Sequence, residues 1–177
     1  SVLDICNELH ISKKTFYLHF ASKEDLVDSL MNGVDHSAEI VEAVNDFSGN
    51  VIDFIHGGAA KAQKVMEDKS AMNVLFDIEK YYPAVSARHF EKKSKELRCY
   101  AEAVLEKGLA QGVFRNDVNV ELTIAIFTLL NPASFRKIGK EKLCIPKDMI
   151  DFFLRGLLNA KGLAYYEQLL EAEKTEK

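Results

Sequence analysis

The sequence predicts an all-α protein, and three observations carry that prediction. Apolar residues recur at helical spacing along most of the chain, and strand-like alternation is absent. Gly and Pro, nine and three in 177 residues, are too sparse for the many turns of a sheet protein. With 47% hydrophobic residues the chain can bury a core, and its length accommodates a small head and a larger body.

The first helix starts at Ser1, whose hydroxyl can cap free N–H groups with Asp4 as its capping-box partner, and Val2, Leu3, Ile5, Cys6 and Leu9 form its apolar side. His10-Ile11 makes the turn. Ser12 then caps a second helix through His19, with Ile11, Phe16 and Phe20 inward and Lys13, Lys14, Thr15, Tyr17 and His19 outward. Two short helices joined by a tight turn can place such a face in a major groove, so Ser1 to Met31 reads as a DNA-reading head. Ser22 and Asp25 open a third helix, where Lys23 and the free N–H groups suit a phosphate. Its apolar positions Leu26, Val27, Leu30, Met31 and Val34 continue in phase through Ile40, Val41 and Val44, which predicts one helix from the head to about Asn45 that couples head to body.

Val51, Ile55, Gly58, Ala62, Val65 and Met66 mark a long helix to about Lys69, with a kink or a close approach expected at Gly57-Gly58. Ser70 caps a shorter helix that stops near Tyr81-Tyr82, and Pro83 suits the start of the next. That helix carries Leu97, Ala101, Val104, Leu105 and Gly108 and closes at Gly112. Val120 to Leu130 is apolar on nearly every face, so burial all round is expected. Asn131-Pro132 breaks it, and Phe135 to Pro146 reads as a basic connection with Arg136, Lys137, Lys140 and Lys142. Ile150, Phe153, Leu154, Leu157 and Leu158 then form a regular stripe, and a last helix carries Leu163, Tyr166, Leu169 and Leu170.

The run I-S-K-K-T-F-Y-L-H-F-A-S-K-E-D-L-V, from Ile11 to Val27, resembles the helix-turn-helix of the TetR family of bacterial transcriptional repressors. Thr15, Tyr17, His19, Phe20, Ser22, Lys23 and Glu24 fall on the core pattern of that motif, and Gly112-Val113-Phe114-Arg115 is similar to a junction common in TetR-type bodies. The resemblance implies a TetR-like all-α fold, with a helix-turn-helix head over 1–31 and a helical effector-binding and dimerisation domain over 32–177. It also implies a further helix ahead of the motif, so the head is expected to be truncated at its N-terminus, starting on the second family helix. The turn position that is usually Gly in the family is His10 here, where a left-handed conformation is mildly strained.

What the resemblance implies for sites can be stated by residue. Ser12, Lys13, Lys14, Thr15, Tyr17, His19 and Lys23 would form the DNA surface: Lys13 and Lys14 on base edges or phosphates, Thr15 and Tyr17 on phosphates or thymine methyls, Lys23 on a phosphate, and His19 either there or in the fold. Phe54, Phe76, Tyr81, Tyr82, Phe90, Tyr100 and Phe127 fall on helices that line the family's inducer cavity, with His56, His89, Cys99 and Asn131 as polar groups to orient a small, mostly apolar molecule. Helices near 118–131 and 147–159 would pair with a second copy. The implied function is a homodimeric, cytoplasmic regulator on double-stranded operator DNA, a repressor released by an unknown small-molecule effector, with the helix from Ser22 as the lever.

Charge and chemistry bound the alternatives. Ser1 to Met31 holds three Lys against five Asp plus Glu, so composition alone does not point to DNA, and a helical protein-interaction module that keeps the helix-turn-helix shape is the competing reading. Cys6, Cys99 and Cys144 include no C-x-x-C pair, so neither a disulfide framework nor a zinc site is indicated, and a reducing cytoplasm fits. His36 with Asp35 and Glu39, and Lys92, Lys93, Lys95 and Arg98, read as solvated helix faces rather than as a metal or anion site. No phosphate-cradling glycine loop, H-E-x-x-H or nucleophile elbow is present, so neither an enzyme nor a cofactor is expected. No apolar run approaches the ~18 residues of a membrane span.

Overall fold

A computed structural model describes residues 1–67, 69–129 and 147–175. Among them run ten helices: α1 (Val2–Glu8), α2 (Lys13–His19), α3 (Lys23–Asn32), α4 (Ser37–Asp46), α5 (Val51–Glu67), α6 (Lys69–Tyr81), α7 (Pro83–Ala110), α8 (Val120–Leu129), α9 (Lys147–Leu157) and α10 (Ala160–Thr175). Outside the helices, Phe114 and Leu158 form an isolated antiparallel bridge. The chain divides into two compact units, Ser1–Asp35 with Asn73–Lys93 and His36–Met72 with Ser94–Lys177. The expected basic connection over 135–146 lies outside the described residues.

In the first unit, short local signals set the helix ends. Ser1 and Asp4 make the capping box of α1. Its C-terminus closes as a Schellman turn: the N–H of His10 donates to Asn7 (3.3 Å) and that of Ile11 to Cys6 (2.9 Å), with His10 in the left-handed region at φ 53°. Such a conformation crowds Cβ against the backbone by about 1–2 kcal/mol, while a glycine's extra chain entropy gives part of that back. His10→Gly is therefore expected to stabilise the protein by about 0.5–1 kcal/mol, read as a higher urea midpoint at unchanged slope; a lower midpoint would show that the imidazole makes a contact worth more than the strain. Ser12 then opens α2, its hydroxyl accepting from the N–H of Thr15 at 3.0 Å. Phe16, 2% exposed, anchors α2.

The single helix expected from the head to about Asn45 is two helices. α3 ends at Asn32, Gly33 is its C-cap, and α4 starts at Ser37. The apolar rhythm hides the break because Val34 and Val41 stand seven residues apart, two helical turns with or without a helix between them. Val34 itself is exposed. What ends α3 is a set of contacts from the first turns of α7, far along the chain. Asn32 Nδ2 donates to Asp28 (2.8 Å) and to the carbonyl of Val85 (3.3 Å), and Arg88 reaches the Asp28 carboxylate at 3.0 Å. Lys92 Nζ donates to the carbonyl of Met31 at 3.2 Å, and His89 Nδ1 stands 3.1 Å from that same oxygen. Positive groups at a helix C-terminus satisfy its orphan carbonyls and complement its dipole. The Asn32 amide first, and Arg88 after it, holds the Asp28 carboxyl below the usual carboxylate range. Lys92, expected on a solvated face, thus has a structural partner.

The core of the second unit gathers Val44, Val51, Ile52, Ile55, Ala101, Val104, Leu105, Val113, Phe114, Ile124, Leu154, Leu157, Leu158 and Tyr166. Lys107 ties the end of α4 to α7: its ammonium donates to the carbonyls of Val44 (2.5 Å), Asn45 (3.0 Å) and Phe47 (2.5 Å). Gln111 continues the seam, donating to Gly49 (3.0 Å) and accepting from the N–H of Val51 (2.9 Å). α5 runs without interruption through Gly57-Gly58; a Cβ on Gly57 would meet nothing within 4 Å, so no close approach explains that glycine. α7 closes as the sequence predicts, in a second Schellman turn with Gly112 at φ 63° and the N–H of Val113 bonded to Gly108 at 3.0 Å. Val113-Phe114-Arg115 then lies against the α9–α10 corner. Asn159 donates through Nδ2 to Gly112 and Phe114 (both 3.0 Å), and its Oδ1 accepts from Gly162 N–H (3.0 Å) at the start of α10.

α8 departs from the burial expected of it. Ile124 is buried at 2%, whereas Val120, Leu122 and Ile126 are exposed on this single chain, as is Phe152 of α9 at 79%.

Candidate nucleic-acid interface and apolar recess

The outward face of α2 follows from its anchor. At 100° per residue, Lys14 and Leu18 each lie about 160° from buried Phe16, and Tyr17 at about 100° and Lys13 at about 60° lie to one side of them. All four are exposed, Tyr17 by 55% and Leu18 by 73%. His19 is exposed at the C-terminal end of α2, its ring 6.4 Å from that of Phe20. Ser12 and Thr15 lie at the helix start, where their hydroxyls bond to each other at 2.8 Å and Ser12 caps the helix. Lys23 opens α3 with its ammonium 6.0 Å from the centre of the Tyr82 ring. Six of the seven residues expected on this surface, Ser12, Lys13, Lys14, Tyr17, His19 and Lys23, are thus exposed, and Thr15 is half-buried. Ser12 and Thr15 also serve the cap. Leu18, apolar and at the middle of the face, is the member that reading for charge and hydrogen bonding passes over.

In the second unit, Ile55, Tyr100, Ala101, Val104, Leu105, Thr123, Phe127, Phe153 and Leu157 line a small, partly open recess in which a water centre has about 20 Å³ to occupy, or about 300 Å³ of empty space when the open solvent at its mouth is included. A row of rings runs through it: Phe47 to Phe54 at 5.2 Å, Phe54 to Tyr100 at 6.2 Å, Tyr100 to Phe127 at 5.7 Å and Phe127 to Phe153 at 5.2 Å between centroids. The middle pairs are stacked, at 28° and 24° between planes. Among the described residues the lining has no ionisable group other than Tyr100, whose phenol burial pushes far above the usual tyrosine range. Its hydroxyl is therefore neutral, and with that of Thr123 it is the polar handle in an apolar, flat-walled space.

Of the eleven ligand candidates, Phe54, Tyr100 and Phe127 meet in this row. Phe76, Tyr81, Tyr82, His89 and Phe90 belong to the first unit, where Phe76 and Tyr81 are exposed and His89 faces Met31. His56 pairs with Glu173 at 3.3 Å, and its ring stands 6.0 Å from that of buried Tyr166. Cys99 neighbours Tyr100 in sequence but is not among the lining residues, and Asn131 lies outside the described residues. Ala101, Thr123 and Leu105 were missed as candidates because small or aliphatic side chains at core spacing look the same in sequence whether they fill a core or wall a cavity, and Phe153 because it reads as one more member of a regular apolar stripe. Among the described residues no cluster of three or more His, Cys, Asp and Glu stands ready for a metal ion, and His36 is paired with Glu39 at 2.9 Å. Nor is any described helix long and apolar enough to cross a membrane.

Comparison with known proteins bears on both places. The family profile described as "Bacterial regulatory proteins, tetR family" matches residues 1–30. Over 125 residues the chain is 30% identical to the HTH-type transcriptional repressor KstR2 of Mycobacterium tuberculosis, in strains CDC 1551 / Oshkosh and ATCC 25618 / H37Rv alike. That match takes in 69% of this chain and 62% of the relative, so the chain spans about six-tenths of the length of the curated relatives it matches. The solved structure of the ketosteroid transcriptional regulator KstR2 of Mycobacterium tuberculosis superposes with a TM-score of 0.52 at 21% identity, covering 90% of this chain and 85% of that one, which shows a common all-α fold. Motif, relative and fold agree: residues 1–30 match the tetR family of bacterial regulatory proteins, and the chain is similar in sequence to a transcriptional repressor and shares the all-α fold of a transcriptional regulator.

Proposed function

We propose that this protein is a DNA-binding transcriptional repressor, released from its operator by a small, mostly apolar molecule held in the helical body. The observation that carries the reading is α2: a helix capped by Ser12, anchored by Phe16 and presenting Lys14 on the opposite side, with Tyr17 and Lys13 exposed along one flank. Ser12, Thr15, His19 and Lys23 would complete the contacts to phosphates around it. The exposed apolar residues of α8 and α9, Val120, Leu122, Ile126 and Phe152, support a homodimer whose two heads sit in successive major grooves. The ring row of Phe54, Tyr100 and Phe127 suits a flat, uncharged ring system carrying one hydrogen-bonding oxygen. The name of the KstR2 structure makes ketosteroids the first compounds to try.

Release would be a population shift, which requires the effector to bind the geometry that does not fit DNA more tightly than the one that does. α3, the lever expected from sequence, ends inside the first unit, and α7 takes its place in this proposal. One helix supplies Val85, Arg88, His89 and Lys92 to the grip on α3, and Tyr100, Ala101, Val104 and Leu105 to the recess.

The test is fluorescence anisotropy with DNA from upstream of the protein's own gene, across a salt series. Tight binding that weakens steeply with salt, and that Lys13→Ala and Tyr17→Ala each weaken by about tenfold or more, is expected. The first unit carries seven Lys plus Arg against nine Asp plus Glu, a net −2. Binding no tighter than to random DNA would therefore turn the reading to a protein-interaction module.

A further inference from the structure

Leu18 occupies the place on α2 where a reading head meets its target, yet it can neither donate nor accept a hydrogen bond. It is 73% exposed, about 160° around the helix from buried Phe16 and one turn beyond Lys14 on the same face. Scattered exposed leucines need no explanation. This one stands beside Lys14 and half-exposed Tyr17, so whatever covers it must also be a surface that attracts Lys14. A major groove fits that description and offers one apolar marker on its floor, the C5 methyl of thymine. Every other base edge presents donors or acceptors that a leucine would strip of water without replacing the lost bond.

We propose that Leu18 is a specificity-determining residue that selects thymine by covering its methyl group. This rests on the reading of α2 as a DNA-contacting helix. It assigns the apolar part of base recognition to Leu18 and leaves Lys13, Lys14 and Tyr17 the charged and polar parts. Because Leu18 touches no phosphate, it sets which DNA is bound and not how binding responds to salt.

Uracil interference separates these roles. In duplexes of the upstream DNA, thymines are replaced one at a time by uracil, which pairs identically but lacks the methyl, and each duplex is titrated with the full-length protein. One or two replacements in each half-site are expected to weaken binding about fourfold each, the worth of one buried methyl. Leu18→Ala should bind native DNA more weakly, lose its response to uracil at those same positions, and keep the salt slope and thermal midpoint of the natural protein. Uniform binding to every uracil duplex, or a Leu18→Ala variant that still senses the same thymine, would overturn the assignment while leaving α2 a DNA reader. Binding to the native duplex no tighter than to random DNA would overturn the DNA reading, and the role of Leu18 with it.

Discussion

Gly162→Ala is expected to destabilise the protein by about 3 kcal/mol and to lower its melting temperature by about 6–12 °C. A Cβ at Gly162 would stand 2.2 Å from the carbonyl oxygen of Val113 and 2.8 Å from Leu158 Cδ2. The first neighbour is backbone, and it cannot retreat freely. Val113 accepts from the N–H of Asn159 at 3.1 Å, the next residue bridges to Leu158, and Arg115 N–H donates to Leu157 at 2.9 Å. Relief would therefore break the junction between the α7 end and the α9–α10 corner, with the Asn159 bonds that depend on it. Gly156→Ala is the control: it lies in α9 with nothing within 4 Å of the added methyl, so the better helix propensity of alanine should leave stability unchanged or raise it by up to ~1 kcal/mol. Equal melting of the two variants would mean that the corner yields without loss and that Gly162 has no steric role.

The same junction shows where sequence reading stops. Gly112 is legible because a helix C-terminus leaves a local signature: a glycine one residue past the last helical turn. Gly162 and Asn159 leave none, since what they touch lies some 45 residues away and no short-range pattern encodes a contact of that separation. The caps at Ser12 and Ser22 and the left-handed turn at His10 were readable for the same reason that Gly112 was. The break between α3 and α4 has a local signal too, Asn32-Gly33 with Gly33 as C-cap, but Val34 and Val41 keep the heptad phase across the gap and mask it. The contacts of Val85, Arg88, His89 and Lys92 that hold the end of α3 come from far along the chain. Folding of Asn73–Lys93 with Ser1–Asp35 is likewise invisible to any window of a dozen residues. The recess was legible only in its aromatic half. Tyr100 and Phe127 announce themselves by size, whereas Phe153 hides in the stripe of α9 and Ala101 and Thr123 make room by being small.

Lys14→Ala should be the most damaging single change to operator binding, weakening it by roughly 30-fold or more at physiological salt. A lysine on the floor-facing side of a recognition helix is worth about 1–3 kcal/mol if it reads a base edge. In the proposed homodimer two copies face the operator, so the expected loss is about 2–6 kcal/mol, and each 1.4 kcal/mol is tenfold. The first unit has a net charge of −2, so the long-range field does not draw DNA in, and under the proposed reading of α2 its few cations carry a correspondingly large share of the binding. Lys61→Ala, the loss of an exposed lysine in the second unit, changes the net charge by the same amount and should leave binding unchanged. The salt series then tells base from phosphate. If Lys14 reads a base, Lys14→Ala loses preference for the operator over random DNA at an unaltered salt slope; if it neutralises a phosphate, both affinities fall together and the slope drops by about one per head. A Lys14→Ala variant no weaker than Lys61→Ala would remove Lys14 from the interface and shift the reading face of α2 towards Lys13 and Tyr17, a rotation that would also take Leu18 off the groove floor.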